Sequence, residues 1–545
     1  MPPSDAATSS LAASTASEAG SETRTELARQ DLWRHRWARP LGTAGHVVLV
    51  TACAAGAVAV ARFFDFWFRG EHVENPILYA LLSLALWYGI SRIVLGWLAL
   101  LAMRAPTHVQ PESGHSVAIF TTSSPGEPLA MFERTLAACQ RITYPHVTYL
   151  LDDTQDPAFR ELAERHGAKH LELVGLPGAK AGKINAALER TQEDFVLVLD
   201  PDHVPFPNFL DRVLGHFRDQ RVGFVQVCQA YYNQARSGVA RGAAEQTYAF
   251  YGPTQMGLDG LGSVLAIGAN CTFRRTALAS IAGHGVGLAE DLVTAIRLHA
   301  AGWRGVYVPE VVSRGLVPED LPGFVQQQLK WARGVYEVLF VEFPLAFKRL
   351  TNWQRLCFAT VGTYYFVGVT TLLYWLIPHL AIWLGSYPTR MSFSAFLVAG
   401  VPVAVFGSLV HFMAQATYCQ PSLEAGLNLR GLALKIACWP VYTWGFWLAL
   451  GDRFVRYVPT AKRSSSARLS SVAWPHLLSL AAFVASAVRV SVKVYRYEPD
   501  AAQALAMLGF AALFALMTLP ALWWSLRRTA PARKDAWDEV PTWLG

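Results

Sequence analysis

Two pairs of aspartates stand directly after apolar runs of the chain, and their spacing suggests metal and phosphate chemistry. Asp152 and Asp153 follow one such run, and Asp200 and Asp202 follow another. In an extended chain alternate side chains point the same way, so an Asp-x-Asp spacing places two carboxylates on one side. Mg²⁺ and Mn²⁺ prefer oxygen ligands, and Mg²⁺ is typically held by one or two carboxylates together with substrate phosphates. Two such sites in one domain therefore favour a divalent cation and a polyphosphate over simple turn chemistry.

A third acidic pair, Glu290 and Asp291, opens a helical stretch that continues to Ala300. Acidic residues in the first turn of a helix often only stabilise the helix. In a domain that transfers a chemical group, a carboxylate at this place can also accept the proton of an attacking hydroxyl. Asp291 is the candidate for that general base.

Basic, amide and aromatic residues form two further strings. Lys180 lies in a Gly/Ala-rich turn at a predicted helix start, where backbone N–H groups and an ammonium can approach an anion. Gln327, Lys330 and Trp331 lie in one helical string, and an exposed Trp beside a Gln can stack on a sugar ring and hydrogen-bond to it. The same helix can lie on a membrane surface with Trp331 as its anchor, and both interpretations can hold together.

The elements that would position these residues alternate between strand-like and helical segments from about residue 105 to residue 345. This alternation predicts an α/β domain with a mostly parallel sheet. In such a sheet the ligand-binding side chains gather at the carboxyl edge. The strand-like runs are 116–121, 147–151 and 195–199, and the helical stretches include 129–139 and 181–192.

The composition excludes an ordinary soluble protein. Hydrophobic residues make up 52% of the 545 residues and charged residues only 16%, whereas soluble domains have about 25% charged residues. The formal charge of +7 comes from basic residues scattered beside apolar runs, so no nucleic acid partner is expected. The seven cysteines lack the spacing of a zinc site or a disulfide framework. The interpretation that fits is a lipid-bilayer protein with an inserted soluble module.

Basic residues indicate which segments face the cytosol. Arginines and lysines cluster in both tails and in the loop 452–473, and the positive-inside rule places all three in the cytosol. This requires an even number of crossings between the soluble domain and that loop. We therefore interpret Leu432–Leu450 as an interfacial helix and expect six crossings. The alternative is a seventh crossing, with the segment 356–384 split at Pro378.

The predicted organisation has seven parts. They are a disordered cytosolic tail at 1–45, two transmembrane helices at 46–104, the soluble domain at 105–345 with an interfacial helix near 320–345, transmembrane helices three and four at 346–431, an interfacial helix and loop at 432–473, transmembrane helices five and six at 474–528, and a cytosolic tail at 529–545.

These strings, in this order, resemble the family-2 glycosyltransferases with a GT-A fold, and more narrowly the processive, membrane-embedded cellulose synthase type. The family pattern is an aspartate after the second strand, a DxD, a TED-like triplet and a Q-x-x-R-W string. The matching strings here are Asp152-Asp153, Asp200-x-Asp202, Ala289-Glu290-Asp291 and Gln327-x-x-Lys330-Trp331. Lys180 lies in a segment similar to the family's KAG-x-x-N, and Ile267–Arg275 is similar to its GTNAVFRR segment.

One resemblance lies outside the soluble domain, and several departures accompany it. Tyr457-Val-Pro-Thr-Ala-Lys462 resembles the FxVTxK gating loop of cellulose synthase-like enzymes. Lys330 replaces the usual arginine and cannot offer its planar, two-pronged donor to a phosphate. Thr154 replaces a usual glycine, and Thr121–Pro128 departs from the family's TYNE-like string, so the contacts to the nucleotide base are not predicted.

The resemblance implies an α/β GT-A (Rossmann-like) cytosolic domain inserted into an α-helical transmembrane bundle of the inner or plasma membrane. It implies an inverting, processive enzyme that polymerises glucose from UDP-glucose into a β-glucan and exports it through its own channel. Mg²⁺ or Mn²⁺ is the implied cofactor; the UDP-sugar, the nascent polysaccharide and the lipid bilayer are the implied partners, and accessory export proteins fit the same picture.

Three alternatives accompany this interpretation. One is a non-processive membrane glycosyltransferase that acts on a lipid carrier, and another is a polysaccharide synthase of the hyaluronan or chitin type. A rival from a different class is a channel or transporter whose soluble domain only binds a nucleotide.

The resemblance also assigns roles to single residues. Asp291 is the implied catalytic base, and Asp202 with Asp200 is the implied metal site. The implied UDP-sugar contacts are Asp152, Asp153, Lys180, Asp200, Lys330, Thr460 and Lys462. The implied acceptor contacts are Gln327, Trp331 and Glu290.

Overall fold

The computed structural model describes residues 36–37, 41–418, 424–451 and 470–526. Most of the predicted tail at 1–45, the whole of the tail at 529–545 and the gating-loop residues Thr460 and Lys462 lie outside these ranges. Within them, a seven-stranded sheet lies between two groups of long apolar helices along the chain. The predicted class, an α/β domain inserted into a helical membrane bundle, is confirmed.

The strands form one large sheet and two short pairs. The large sheet has the order β4-β3-β2-β5-β8-β7-β9 and is parallel throughout except for β8, which runs antiparallel to β5 and β7. The three predicted strand runs correspond to β2, β3 and β5 within one residue. The strands are β1 Arg36–Trp37, β2 Val117–Thr122, β3 Val147–Asp152, β4 Lys169–Glu172, β5 Phe195–Leu199, β6 Val204–Pro205, β7 Val222–Val227, β8 Cys271–Arg274, β9 Arg304–Val308, β10 Glu310–Val311 and β11 Ser313–Arg314.

Helices cover both faces of this sheet and supply the membrane part. The helices are α1 Thr43–Trp67, α2 Pro76–Leu101, α3 Leu129–Gln140, α4 Pro157–Arg165, α5 Ala179–Arg190, α6 Phe209–Val213, α7 Gly238–Ala249, α8 Gln255–Gly260, α9 Arg275–Ser280, α10 Glu290–Ala300, α11 Leu321–Glu337, α12 Phe343–Ala346, α13 Asn352–Gly362, α14 Val367–Leu384, α15 Phe393–Tyr418, α16 Leu429–Ala437, α17 Trp439–Leu450, α18 Ser470–Tyr495 and α19 Ala501–Leu526.

Burial on both faces explains why the central strands are almost continuously apolar. Every residue of β2, β5 and β7 is buried. Phe120 and Val198 face one hydrophobic cluster, and Ile119 and Leu197 face the other. A parallel sheet covered on both faces has this pattern, because neither face meets water. The rigid layer fixes where β2, β3 and β5 end, and these three neighbouring strands end at the same edge.

In the part of the chain that the structure describes, six helical spans are long and apolar enough to cross a membrane, which equals the number of crossings that the sequence predicts. Their mean hydropathy lies between 1.6 and 2.1. The spans are Thr43–Trp67, Pro76–Leu101, Asn352–Leu384, Phe393–Tyr418, Ala473–Tyr495 and Ala501–Pro520.

The segment expected to form one interfacial helix at 432–450 forms two helices instead. α16 and α17 meet at Cys438, and Pro440 lies in the first turn of α17, where its missing N–H costs nothing. α17 has 12 residues and extends about 18 Å, too short for a hydrocarbon layer of about 30 Å. The alternative break at Pro378 is also not formed, because α14 runs through Pro378 and the irregular turn lies earlier, between α13 and α14.

Part of the predicted disordered tail is ordered. Arg36–Trp37 pairs antiparallel with Glu310–Val311 of the sheet domain, and α1 begins at Thr43. The backbone groups of β1 therefore find hydrogen-bonding partners on β10, which the composition of the tail does not indicate.

The sheet domain is packed against the end of the second membrane helix. Arg104, just after α2, donates its N–H to the carbonyl of Met256 at 3.0 Å, and its Nε lies 3.6 Å from Oδ2 of the buried Asp259. Gly257 and Gly260 face backbone oxygens at the end of α2, and a Cβ at either glycine would collide with them. This close contact places the domain directly beside the membrane helices.

Candidate active site

Three side chains that follow β5 form a group suited to a divalent cation. The ligand atoms of Asp200, Asp202 and His203 all lie within 4.8 Å of one another. Asp202 and His203 are buried, and the Nδ1 of His203 lies 3.3 Å from Oδ1 of Asp202. The imidazole packs over Gly315, where any Cβ would collide with the ring. Two carboxylates and an imidazole are ligands that suit Mn²⁺ or Mg²⁺, so the residues at this place fit the predicted metal.

Lys180 connects the metal-binding group to the region of the second acidic pair, Glu290 and Asp291. It lies in the first turn of α5, after Gly178, which adopts a positive φ of 87°. Its Nζ donates to Oδ1 of Asp200 and to the carbonyl of Gly268, each at 2.5 Å. Burial acts to lower the pKa of Lys180, but the charges of Asp200 and Glu290 outweigh it and raise that pKa. A fixed ammonium therefore stands between the metal-binding group and the second acidic pair.

Glu290 and Asp291 form that second acidic pair at the start of α10. Oδ1 of Asp291 accepts the N–H of Leu292 at 2.8 Å, and its Oδ2 lies 3.3 Å from the position that a Cβ of Gly268 would occupy. Burial and the neighbouring charge of Glu290 raise the pKa of Asp291 to about 7. A carboxyl group with a pKa near neutrality can both take up and release a proton at physiological pH, as a general base must.

Helix α11 packs directly on the segment before this acidic pair. A Cβ on Gly334 would lie 2.9 Å from the Cβ and the backbone N of Ala289, so only glycine allows this approach. The charge of Lys330 acts on Glu290 and partly offsets the rise that burial causes in the pKa of that carboxyl. Trp331 is half-buried and packs against the hydrophobic cluster that also contains Phe120 and Val198 of the sheet. The contact at Gly334 therefore brings the predicted acceptor helix to the predicted base.

The remaining acids lie at the end of β3. Asp152 is buried and accepts hydrogen bonds from the hydroxyls of Ser123 and Thr154, and His170 Nε2 lies 2.9 Å from its Oδ2. Burial acts to raise the pKa of Asp152, but these hydrogen bonds lower it overall. Asp153 stands beside it and is about a quarter exposed. Because β2 alone separates β3 from β5, these acids share one sheet edge with the metal-binding group.

The structure brings most of the predicted residues into one region. Asp200, Asp202, Lys180, Glu290 and Asp291 are linked through direct contacts or close charges. Gln327 and Lys330 are half-buried on α11. Sequence reasoning did not assign His203, although its place directly after the Asp-x-Asp pair was a usable signal. It also missed Gly268 and Gly334, whose importance depends on contacts between segments distant along the chain.

Comparison with known proteins agrees with this geometry. A family model described as glycosyltransferase like family 2 matches residues 123–334, from the end of β2 to Gly334. This stretch of the chain is therefore similar to a family-2 glycosyltransferase domain. A cellulose synthase family model matches residues 280–406, which include Glu290, Asp291 and α11 and continue through the third membrane span into the fourth. The cellulose synthase-like resemblance of the sequence is thereby confirmed.

Curated relatives of this chain include cellulose synthases. The cellulose synthase catalytic subunit [UDP-forming] of Xanthomonas axonopodis pv. citri (strain 306) is 29% identical over 349 residues, which cover 60% of this chain and 47% of the relative. The cellulose synthase 1 catalytic subunit [UDP-forming] of Komagataeibacter xylinus is 28% identical over 355 residues, 63% of this chain and 46% of the relative. The chain spans less than half the length of these relatives. A solved mannosyltransferase from Pyrobaculum calidifontis is 17% identical with a TM-score of 0.47, covering 62% of this chain and 97% of that one.

Proposed function

We propose that this protein is a membrane-embedded glycosyltransferase that transfers glucose from UDP-glucose to the growing end of a β-glucan. The observation that carries the proposal is the link from Asp200 through Lys180 and Gly268 to Asp291. This link supports the proposal because it joins acids suited to a metal-bound diphosphate to a carboxyl group of raised pKa. The UDP-forming activity of the related cellulose synthases supports UDP-glucose as the donor.

The donor would lie along the carboxyl edge of the sheet. Asp152 and Asp153 would bind the nucleoside, and Asp200, Asp202 and His203 would hold a divalent cation. When bound, that ion supplies positive charge to the diphosphate leaving group. The ammonium of Lys180, which remains protonated, adds a second positive charge at the same place. Lys330 lies on the facing helix, near Glu290, and would approach the diphosphate from that side.

Asp291 would take the proton from the terminal hydroxyl of the acceptor. That hydroxyl oxygen then forms a bond to the anomeric carbon of glucose while the bond from this carbon to the UDP oxygen breaks. The electron pair of the broken bond leaves with UDP. Because attack and departure occur on opposite faces, the α-linked donor yields a β-linked product. Trp331 would stack on the terminal sugar, and Gln327 and Glu290 would orient it for attack.

The packing of α11 supports delivery of the product into the membrane helices. Tyr442 of α17 donates its hydroxyl to Oε1 of Gln328 at 2.9 Å, and Gly445 of α17 packs on Ala332. Gly368 of α14 packs in turn on the backbone around Tyr442. The proposed acceptor helix α11 therefore packs on α17, which in turn packs on the membrane-spanning helix α14. We infer that the glucan enters the bundle there, with the sheet domain on the cytosolic side, as the flanking basic residues predict.

Thr460 and Lys462 lie outside the described residues, and their contact with the bound nucleotide stays a prediction from the sequence. An accessory export protein likewise stays a prediction.

The test is synthesis by the purified full chain in lipid nanodiscs. With radiolabelled UDP-glucose and Mn²⁺ or Mg²⁺, we expect a long, labelled polymer that a linkage-specific β-glucanase degrades, and we expect EDTA to stop its formation. Label found only in short, lipid-linked products would contradict processive synthesis and favour the lipid-carrier alternative. Polymer formed from a UDP-N-acetylhexosamine but not from UDP-glucose would instead favour a hyaluronan- or chitin-type synthase.

A further inference from the structure

A second lysine of α5, Lys183, has no part in the proposed chemistry, yet it is almost completely buried. Its side chain is 3% exposed. Its Nζ donates to the carbonyl of Ser123 and to Oγ of Ser124, the latter at 3.3 Å, and lies 3.6 Å from Oδ2 of Asp153. Burial lowers the pKa of Lys183, although nearby carboxylates partly offset this effect. A buried ammonium is costly unless it is paired, so these contacts are the reason that the lysine can be retained here.

Lys183 joins the ends of two neighbouring strands. Ser123 and Ser124 follow β2, and Asp153 follows β3, which pairs with β2 in parallel. Asp153 also accepts the N–H of Gly175 at 3.0 Å. One ammonium thus holds together the loop after β2, the loop after β3 and, through Asp153, the segment that leads into α5.

This junction lies where the nucleoside part of a donor would extend. The metal-binding group follows β5, which is the neighbour of β2 on its other side. Adjacent strands are about 4.8 Å apart, so the end of β3 lies about 10 Å from the end of β5. A nucleoside diphosphate whose diphosphate lies at Asp200 and Asp202 would reach this far with its ribose and base.

We propose that Lys183 is a positioning residue for the nucleoside end of the donor site, and that it sets both the affinity and the base selectivity for the nucleotide. The proposal rests on the proposed function, since it assumes a nucleoside diphosphate at the metal-binding group. Selectivity for one base requires hydrogen-bonding groups held at fixed separations, and Lys183 fixes Ser123, Ser124 and Asp153 relative to one another.

Charge gives a second reason for the same role. Asp152, Asp153 and Glu127 all act electrostatically on Lys183. Without the ammonium, these carboxylates would repel one another and the anionic donor. Asp291 lies beside Gly268, on the other side of the metal-binding group, so loss of the Lys183 ammonium should not affect the chemical step directly.

The test is Lys183→Met in the full chain, measured as binding of UDP in the presence of Mn²⁺ and as kinetics with UDP-glucose. We expect about 10-fold weaker UDP binding, which corresponds to about 1.4 kcal/mol, and an equal rise in KM, with kcat within about twofold of wild type. The preference for UDP over GDP should fall as well. Lys169→Met, which removes an exposed ammonium that lies 5.4 Å from the centre of the Tyr149 ring, should change none of these values.

Two further variants keep the inference testable if Lys183→Met does not fold. Ser124→Ala removes one hydrogen-bond acceptor of Lys183 and should weaken UDP binding by about two- to threefold, with kcat unchanged. Lys183→Arg keeps a positive charge beside Asp153 and should retain more of the UDP affinity than Lys183→Met does.

The opposite results separate the two proposals. If the variants keep wild-type KM and wild-type preference for UDP, Lys183 is only a structural residue and the inference is wrong. If the wild-type chain does not bind UDP in the presence of Mn²⁺, the proposed function itself fails.

Discussion

The contact between α11 and the acidic pair predicts the effect of adding a single methyl group at Gly334. A Cβ there would lie 2.9 Å from the Cβ and backbone N of Ala289 and from the backbone C of Leu288. Ordinary van der Waals contact begins at 3.4 Å. Two of the three atoms belong to the backbone, so they cannot rotate away. In Gly334→Ala, α11 must therefore move away from the start of α10 by about 0.5 Å.

The size of the effect follows from this displacement. Overpacking of this kind costs about 1–3 kcal/mol of stability. A misplacement of about 1 Å in a catalytic arrangement can cost on the order of 100-fold in rate, so about half of that displacement predicts a loss of about 10-fold in kcat. The KM for UDP-glucose should change by less than about twofold, because Asp152, Asp153 and Asp200 lie on the sheet edge, which does not move.

Initial rates of radiolabelled glucose incorporation by purified Gly334→Ala, together with its thermal unfolding, measure both quantities. Gly96→Ala is the matched control, since Gly96 also lies within a helix but a Cβ there would meet no atom within 4 Å. A Gly334→Ala variant with wild-type kcat would refute the reasoning, and so would a variant that loses only affinity for UDP-glucose.

Two further predictions concern the base and the metal. Because Asp291 must be deprotonated to accept a proton, kcat should fall as the pH decreases through about 7. Glu290→Gln removes a like charge, so it should move this acidic limb of the pH–rate profile to lower pH by about one unit. A profile that stays flat, or a limb that moves to higher pH, would be inconsistent with this role. His203→Ala should raise the Mn²⁺ concentration for half-maximal synthesis by about 10- to 100-fold, whereas an unchanged requirement would show that the imidazole does not support the metal.

Local patterns in the sequence predict much of the sheet edge. The runs before Asp152 and Asp200 are apolar because β3 and β5 are covered on both faces, and an apolar run that stops at an acid marks where a buried strand reaches the edge of the sheet. Membrane spans are predictable for a similar reason, because about 20 consecutive apolar residues are needed to cross the hydrocarbon layer.

These local patterns do not predict contacts between segments that are far apart along the chain. The reversed direction of β8, the approach of Gly334 to Ala289 and the bridge from Lys183 to Asp153 each join segments far apart along the chain. The division of the interfacial segment at Cys438 is a different case, since Pro440 was visible in the sequence and favours the start of a helix.

Replacement of the proposed base gives the most direct measurement. In Asp291→Asn, the metal-binding group, Lys180 and the acids at the end of β3 all remain, so UDP binding in the presence of Mn²⁺ should stay within about threefold of wild type. Loss of a general base should lower the rate of polymer synthesis by about 10²- to 10⁴-fold. Polymer synthesis at close to the wild-type rate by a variant that still binds UDP would contradict the role of Asp291 and with it the proposed mechanism.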